Sequence, residues 1–557
     1  MWAATCSTGP PTRSPRCAPG ASRPDRRGPV PGGLLASRHD PAMTVNTRPL
    51  PDSDPIALLR VADLRTAETD AAAVLPPHTL MGRAGAAAAH WLSERMAGDD
   101  RPVWFAVGPG NNGGDALVAA AHLQQLGVAT QAWMPVPVKP DDAQWALGLA
   151  RAAGVPLSAA PPASLDGFAW VVDGLFGIGL GRALDGAFAE QARRIAAHAR
   201  SGGQVLALDI PSGLDSDTGR IVGAGAAVAA THTLTFIAAK PGLYTGEGRD
   251  LAGEIDVASL DVAPPAAPAI VLNAPARFAA ALPPRAFASH KGTFGSLAVL
   301  GGDTGMCGAP ILAARAALFA GAGKVHVGFL GAGAPPYDPP FPELMLHPAD
   351  GLDLGAMTAI AAGCGLGTRE AAATLVRDVL AHDAATLLDA DALNLVAAHA
   401  DLAAAVATRG TRGNPCVLTP HPLEAARLLG SDTATIQHDR VAAAQALAAR
   451  YVANVVLKGS GTVIAAPDGR VTINPTGNAA LATGGTGDVL GGLIGALLAQ
   501  RVAPYEAALA GVYLHGLAAD TLTAHGTGPA GLTAGELAPM VRTLINRLFY
   551  ASPRADT

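Results

Sequence analysis

Aromatic residues make up only 4% of the 557 residues, too few for a nucleic-acid binder that works by base stacking. Positive charge is also short. Lys and Arg number 39 against 45 Asp and Glu, a formal net charge of -6, so the basic surface that nucleic acid or an anionic membrane requires is missing. No run of 18 or more apolar residues is free of Gly, Pro or charge, and no spanning helix is expected. The five cysteines (Cys6, Cys17, Cys307, Cys364, Cys416) are odd in number, scattered and never in C-x-x-C spacing. That argues against a disulfide framework and a cysteine zinc site, and suits a reducing cytoplasmic compartment. What the chain has in quantity is small and apolar: 66 Gly and 49% hydrophobic residues, ample for large cores. The length predicts about three or four ordinary domains, or fewer of the larger α/β kind.

Residues 1–42 are rich in Pro, Arg, Gly and Ser, carry no apolar period and are not expected to order on their own. They lack the apolar core of a signal peptide. An Arg-rich transit peptide is one reading; an extension upstream of a true start at Met43 is preferred, and ordered structure is expected only beyond residue 55. Two helical patterns then follow between Ile56 and Met96, separated at Pro76-Pro77.

Val103–Val107 reads as a strand that feeds Gly108-Pro109-Gly110-Asn111-Asn112-Gly113-Gly114-Asp115, with a helix from Ala116 to Leu126. This is the first half of a βαβ unit, whose ligand sits at the strand's C-terminal end. The Asn pair interrupts any dinucleotide fingerprint. Asn111, Asn112 and Asp115 instead offer oxygens to a hard cation or to a polar ligand, where a plain turn would need only the glycines. Two more strands end alike, one at Asp173 before Gly174-Leu175-Phe176-Gly177-Ile178-Gly179-Leu180-Gly181, the other at Asp209 before Ile210-Pro211-Ser212. One such Asp is an ordinary helix cap; three at one sheet edge argue for a shared pocket. Thr231–Phe236 is a further strand, and Lys240 beyond it brings a cation to the same edge.

The Pro/Ala run 262–268 marks a domain boundary. Beyond it, a strand Leu297–Leu300 ends at Gly301-Gly302-Asp303, and a helix is expected over Ala309–Gly321. A buried strand, Val455–Leu457, ends at Lys458-Gly459-Ser460-Gly461-Thr462. The second half is organised around Asn478 to Gly492, where Thr483-Gly484-Gly485-Thr486-Gly487 precedes Asp488 and an apolar helix, Val489–Leu498. Glycines let successive amides point one way, and a helix N-terminus adds positive potential, which makes a phosphate cradle. A carboxylate at its mouth repels phosphate and suits a general base for a hydroxyl that attacks phosphorus. Taken alone, the stretch is equally a capped turn. Lys458 is a strong phosphate partner if it faces the cradle. His421, held between Pro420 and Pro422, is a candidate substrate contact.

In their order and spacing, Gly-x-Gly-Asn-Asn-Gly-Gly-Asp, Val-Asp-Gly-Leu-Phe-Gly-x-Gly-Leu, Asp-Ile-Pro-Ser-Gly-Leu-Asp and Thr-Phe-x-x-x-Lys-Pro-Gly resemble the epimerase domain of NAD(P)H-hydrate repair enzymes, over residues 56–262. Lys-Gly-x-x-Thr and Gly-Gly-Thr-Gly-Asp, at their interval, make residues 277–548 similar to the dehydratase domain of the same system, with 263–276 as linker and 549–557 as tail. The resemblance implies an α/β chain: a Rossmann-like three-layer αβα domain followed by a ribokinase-like α/β domain. It implies that Asn111 to Asp115 (with Gly113 and Gly114) and Gly177, Ile178, Gly179, Leu180 and Gly181, on to Leu184, bind the hydrated nucleotide. Asn112, Asp173 and Ser212 match potassium ligands, and Asp209 the residue nearest the reacting ring; Asp209 is expected to carry the proton transfer, with Lys240 and a potassium ion balancing phosphate and carboxylate charge. Lys458, Gly459, Ser460, Gly461 and Thr462, with Asn478 and Thr483 to Gly487, match the ADP or ATP site, for which magnesium is implied. Gly323, His421 and Asp488 match the face toward the hydrated nicotinamide. Two residues depart from the pattern, Ala116 for a Gly and Cys364 for a Pro.

The function so implied is bifunctional repair. R and S hydrates of NADH and NADPH (NADHX and NADPHX) would be epimerised, and the S form dehydrated at the expense of ADP or ATP with release of phosphate, in a homo-oligomer. Two rivals stay open: a ribokinase-like kinase of a vitamin precursor or sugar fused to a nucleotide-binding domain, and an N-terminal domain that binds without catalysing.

Overall fold

The computed structural model describes residues 56–96, 98–265 and 267–550; the expected N-terminal extension and residues 551–557 lie outside them. Short runs rich in Val, Leu and Ala become strands buried on both faces, as parallel sheets require. The first sheet has order β3-β2-β1-β4-β5-β6-β7, with every pairing parallel. Its strands are β1 (Val103–Val107), β2 (Thr130–Trp133), β3 (Leu157–Ser158), β4 (Trp170–Gly174), β5 (Val205–Leu208), β6 (His232–Phe236) and β7 (Glu254–Ala258).

The period-2 rule shows directly. Val103, Phe105 and Val107 enter one core, while Trp104 and Ala106 enter the other on the opposite face. Helices Thr79–Arg95 and Asn111–Gln125 cover the first face, and Gly186–Arg200 covers the second. This is the expected three-layer arrangement. The strand order reverses between β1 and β4, which opens a crevice at their C-terminal ends.

The second sheet runs β11-β10-β9-β12-β13-β14-β15-β16-β17-β8. Its strands are β8 (Ile270–Leu272), β9 (Ser296–Gly301), β10 (Lys324–Phe329), β11 (Met345–Pro348), β12 (Ala359–Ala362), β13 (Ala385–Leu388), β14 (Val417–Leu418), β15 (Asn454–Leu457), β16 (Val463–Ala465) and β17 (Val471–Ile473). From β11 to β15 the pairing is parallel, and an antiparallel β15-β16-β17 meander follows. Leu297 and Val299 face a core built with helices Gly308–Phe319, Thr486–Ala499 and Pro504–Ala524; Ala298 and Leu300 face the opposite one.

The linker expected over 263–276 is corrected in part. Ile270–Leu272 pairs in parallel with β17 as the sheet's last strand, because this apolar triplet buries well once the edge accepts it. The tail boundary moves too. Phe549 closes helix Ala534–Phe549, and the Tyr550 hydroxyl donates to the Pro283 carbonyl at 2.8 Å.

The two sheets are joined by residues 56–59: Leu58 N–H donates to Ile270 O at 3.0 Å and Leu59 N–H to Ala239 O at 2.9 Å. The nucleotide loop expected after β15 also meets the first domain, since Ser460 Oγ donates to Gly246 O at 2.9 Å and Gly246 N–H to Ser460 O at 3.2 Å. Arg60 clasps Asp439 with two hydrogen bonds, at 3.0 and 3.2 Å. No single helix among the described residues is long and apolar enough to cross a membrane.

Candidate active sites

The crevice between β1 and β4 holds a cavity of about 580 Å³. Its wall collects Asn111, Asn112, Asp115, Gly177, Ile178, Gly179, Leu180, Asp209 and Lys240, residues drawn from four separate motifs. Gly113 and Gly114 are packed behind it, and Gly181 is not part of the wall. The helix after β1 starts at Asn111 rather than at Ala116 as expected, so the Asn-Asn-Gly-Gly motif is its first turn. Glycine is needed there for space: a Cβ on Gly113 would strike the Gly108 carbonyl at 2.0 Å.

Asp173 is fully buried at the end of β4. It accepts hydrogen bonds from Ser212 N–H at 2.8 Å, Ser212 Oγ at 2.7 Å and Leu175 N–H at 3.2 Å. Burial pushes its carboxyl up to about 6, against these hydrogen bonds. Asn112 is the unusual neighbour, because both atoms of its buried side-chain amide have no hydrogen-bond partner in the structure. Such an orphan needs an explanation.

Asp209, just past β5, holds a left-handed backbone, φ +67°. A non-glycine residue kept there at a pocket is the kind of strain found at functional sites. Its carboxylate pairs with Lys240 Nζ at 2.5 Å. That ammonium, 1% exposed, also donates to Thr235 Oγ1 at 2.7 Å and to the Phe236 carbonyl at 2.9 Å. All three ammonium donors are used, which permits the burial. The motifs did not point to helix Val61–Ala72, which adds Leu64, Arg65, Glu68 and Thr69 to the cavity. Its amphipathic pattern was visible, but nothing local to it says which sheet edge it covers.

The second site forms at the C-terminal edge of the second sheet. Helix Thr486–Ala499 is preceded by its N-cap Gly485, whose φ of +91° suits glycine. Thr486 Oγ1 donates to the carbonyls of Leu481 and Thr483 at 2.9 and 3.0 Å, which locks the cradle loop. Asp488 lies in the first turn. Burial, and after it the charge of Asp389, push its carboxyl up to about 6, with Lys458 pulling the other way. Lys458 Nζ donates to Asp389 Oδ1 at 2.7 Å and would lie 3.7 Å from a Cβ on Gly487. The lysine faces the cradle.

The other expected contacts divide. Ser460 is turned to Gly246, a Cβ on Gly461 would strike the Tyr244 carbonyl at 1.9 Å, and Thr462 Oγ1 donates to Gly459 O at 3.1 Å. Asn478 is engaged in shaping its loop, donating to Asp520 at 2.8 Å and accepting from Ala480 N–H at 2.9 Å. His421 caps helix Pro422–Leu429, with Nδ1 accepting from the amides of Leu423 and Glu424 at 3.1 and 3.3 Å. Partial burial and the Lys458 charge hold its ring below the usual histidine range.

Gly323 is a correction. Its N–H donates to the Phe294 carbonyl at 3.0 Å, and a Cβ there would strike the Lys291 carbonyl at 1.7 Å and come 2.9 Å from that of Gly295. Gly295 abuts the carbonyl of Ala499, the far end of the helix that begins beside Asp488. That helix is 14 residues long, about 20 Å at roughly 1.5 Å per residue. Gly323 therefore packs the opposite edge of the sheet, where strand β10 begins. Sequence reasoning also passed over Asp389, although a strand ending in Asp was the very signal used in the first domain. It passed over His515 as well, buried on helix Pro504–Ala524, where burial drives its ring down to about 4.

Two parallel-sheet domains, each with a lysine–aspartate pair at a strand edge and one with a phosphate cradle, define a two-site enzyme of nucleotide chemistry. A family model described as NAD(P)H-hydrate dehydratase matches residues 297–540, and one described as YjeF-related protein N-terminus matches residues 77–242. A bifunctional NAD(P)H-hydrate repair enzyme of Escherichia coli is 38% identical over 518 residues, which cover 89% of this chain and 95% of that one. An ADP-dependent (S)-NAD(P)H-hydrate dehydratase of Neisseria meningitidis is 48% identical over 285 residues, 50% of this chain and 94% of that one. A crystal structure of the ADP/ATP-dependent NAD(P)H-hydrate dehydratase of Bacillus subtilis, co-crystallised with ATP and magnesium, is 34% identical. It covers 49% of this chain and 96% of its own, with a TM-score of 0.43. The chain belongs to the family of bifunctional NAD(P)H-hydrate repair enzymes.

Proposed function

We infer that this chain returns hydrated NADH and NADPH to service. The first site interconverts the R and S epimers at C6, and the second dehydrates the S form with ADP or ATP and releases phosphate. The observation that carries the second step is Asp488, a carboxyl with pKa of about 6 at the mouth of the cradle, beside Lys458. A base poised near neutral pH can take the proton of the added hydroxyl. The hydroxyl oxygen attacks the nucleotide's terminal phosphorus, while Lys458 and the amides of Gly484 to Gly487 hold the transferring group. Phosphate then leaves with the C6–O electron pair, a proton leaves C5, and the C5–C6 double bond reforms. Hydroxide is a poor leaving group and phosphate a good one, which is why a kinase-like site serves a lyase.

Magnesium would travel with the nucleotide phosphates and be held mainly through them. In keeping with that, no group of three or more His, Cys, Asp or Glu among the described residues could hold a metal ion. Potassium fits the first site by donor chemistry: the orphaned Asn112 carbonyl oxygen at the crevice, and Asp173 with the Ser212 Oγ bonded to it, are hard oxygen donors. Bound there, the ion would offset the Asp173 charge and steady the loop after β4. The same reading includes a homo-oligomer in the cytoplasm, resting on the resemblance and on the scattered cysteines. Sedimentation and fractionation of the full chain test those two points.

The test of the chemistry is the product balance with S-NADHX and ADP. One free phosphate per reduced nicotinamide recovered is expected. A phosphorylated hydrate that accumulates would mean a kinase.

A further inference from the structure

Inversion at C6 needs a proton given on one side of the ring and a proton taken on the other, and the Asp209–Lys240 pair supplies only one of these. We propose that Asp115 is the second acid–base group of the epimerase site, working opposite Asp209 across the nicotinamide ring. The proposal rests on the epimerase reading above.

Asp115 lies in the second turn of the helix that follows β1, and Asp209 lies just past β5. Strand β4 runs between them. The segments that carry them, the helix after β1 and the loop after β5, therefore reach the cavity from either side of β4. Both line the same cavity. Gly177, on the loop after β4, keeps that space open: a Cβ there would come within 3.0 Å of Asp209 Oδ2 and 3.6 Å of Asn112. Of the other carboxyls of the cavity, Asp209 is fastened to Lys240 and Asp142 to His78, while Glu68, like Asp115, has no side-chain hydrogen bond among the described residues but comes from helix Val61–Ala72 and not from a loop or helix at the β1–β4–β5 edge. The Asp115 carboxyl has no hydrogen-bond partner among the described residues.

The charges facing Asp115 come from every side of the cavity: Asp209 and Lys240 from the strand edge, Glu68 and Arg65 from helix Val61–Ala72, Asp142 with His78 from the rim. Burial first, then Asp209, Glu68 and Asp142, push the Asp115 carboxyl well above the usual carboxylate range. Asp115, lining the cavity without a hydrogen-bond partner, is placed to give a proton, and Asp209, bonded to the Lys240 ammonium, to take one.

The step balances. Protonated Asp115 gives its proton to the C6 hydroxyl, the C6–O bond breaks with its pair to oxygen, and the N1 lone pair forms an N1=C6 bond as water departs. Water adds to the opposite face of C6, the Asp209 carboxylate takes one of its protons, and the N1=C6 pair returns to N1. The reverse direction starts from the opposite protonation states, and one solvent oxygen enters per inversion.

The test uses the full chain with R-NADHX in water enriched in oxygen-18, following R-to-S conversion and the label at C6. Dehydration of added S-NADHX, catalysed at the other sheet, reports that each variant is folded. Asp115→Asn should lower kcat for epimerisation by about 100-fold or more with KM changed only a few-fold, and Asp115→Glu should recover part of it. Glu68→Gln should move the alkaline limb of kcat/KM to lower pH, because losing a negative neighbour lets Asp115 ionise sooner. If wild type converts R to S with no solvent oxygen at C6, or if Asp115→Asn keeps its kcat and raises only KM, Asp115 is a binding group and the proposal fails. If wild type does not convert R to S at all, the epimerase reading itself falls.

Discussion

Replacing Asp389 by Asn should shift the pH dependence of dehydration in a stated direction. Asp389 touches the site twice: it accepts from Lys458 at 2.7 Å, and its charge helps raise Asp488 to about 6. Removing that charge frees Lys458 to favour the ionised form of Asp488. Like charges a few ångströms apart, in an effective dielectric near 20, repel by roughly 2–4 kcal/mol. Lys458 already offsets part of this, so a fall of about one pH unit, worth about 1.4 kcal/mol, is expected. Burial is the larger cause and persists in the variant, so the carboxyl should stay above the ordinary aspartate range. The sign is fixed by the role. A base must be ionised, so kcat/KM rises with pH through about 6 in the wild type and through about 5 in Asp389→Asn. KM for ADP should rise roughly tenfold, because Lys458 loses the partner that aims it. The assay is the initial rate of reduced-nicotinamide absorbance from S-NADHX across the acid-to-neutral range, with ADP below saturation. An acid limb that stays in place, or moves to higher pH, would refute the electrostatic account of Asp488.

Asp488→Ala should lower dehydration by about 100- to 10,000-fold, read in the same absorbance assay. Ser212→Ala removes the 2.7 Å hydrogen bond to buried Asp173 and should cost about 1–3 kcal/mol, read as a lower thermal midpoint together with weaker potassium dependence of epimerisation. Leu58, 1% exposed where the two sheets join, should cost about 2–5 kcal/mol as Leu58→Ala, measured by urea unfolding. Gly461→Ala forces a Cβ toward the Tyr244 carbonyl, 1.9 Å away, and should raise KM for ADP and speed proteolysis at the domain junction.

Much of the site was legible because its signals are local. A β-branched or apolar run ending in Asp, followed by Gly or Pro, fixes both a strand and the edge to which its carboxylate goes. That is how Asp209 comes to the crevice and Asp173 to the buried end of β4 beside Ser212; Lys240 follows strand β6, and Asp488 was marked instead by the Gly-rich turn that opens its helix. The pieces that were not legible depend on partners distant in sequence. Glu68 lines the cavity only because helix Val61–Ala72 crosses the edge of a sheet whose order is not written in any one segment. Ile270–Leu272 looks like linker until β17 offers an edge. Gly323 sits in a glycine turn like those of the site, but at the wrong end of its strand. The chain's glycines serve packing as often as chemistry, and spacing alone does not separate the two.

The most direct measurement starts from pure R-NADHX with ADP, magnesium and potassium, and follows reduced nicotinamide. Recovery from the R form requires both sites in sequence. Wild type should recover nearly all of it, while Asp209→Asn should fail from R and succeed from S. An Asp209→Asn variant that recovers R as fast as wild type, against the uncatalysed rate, would contradict the two-site account.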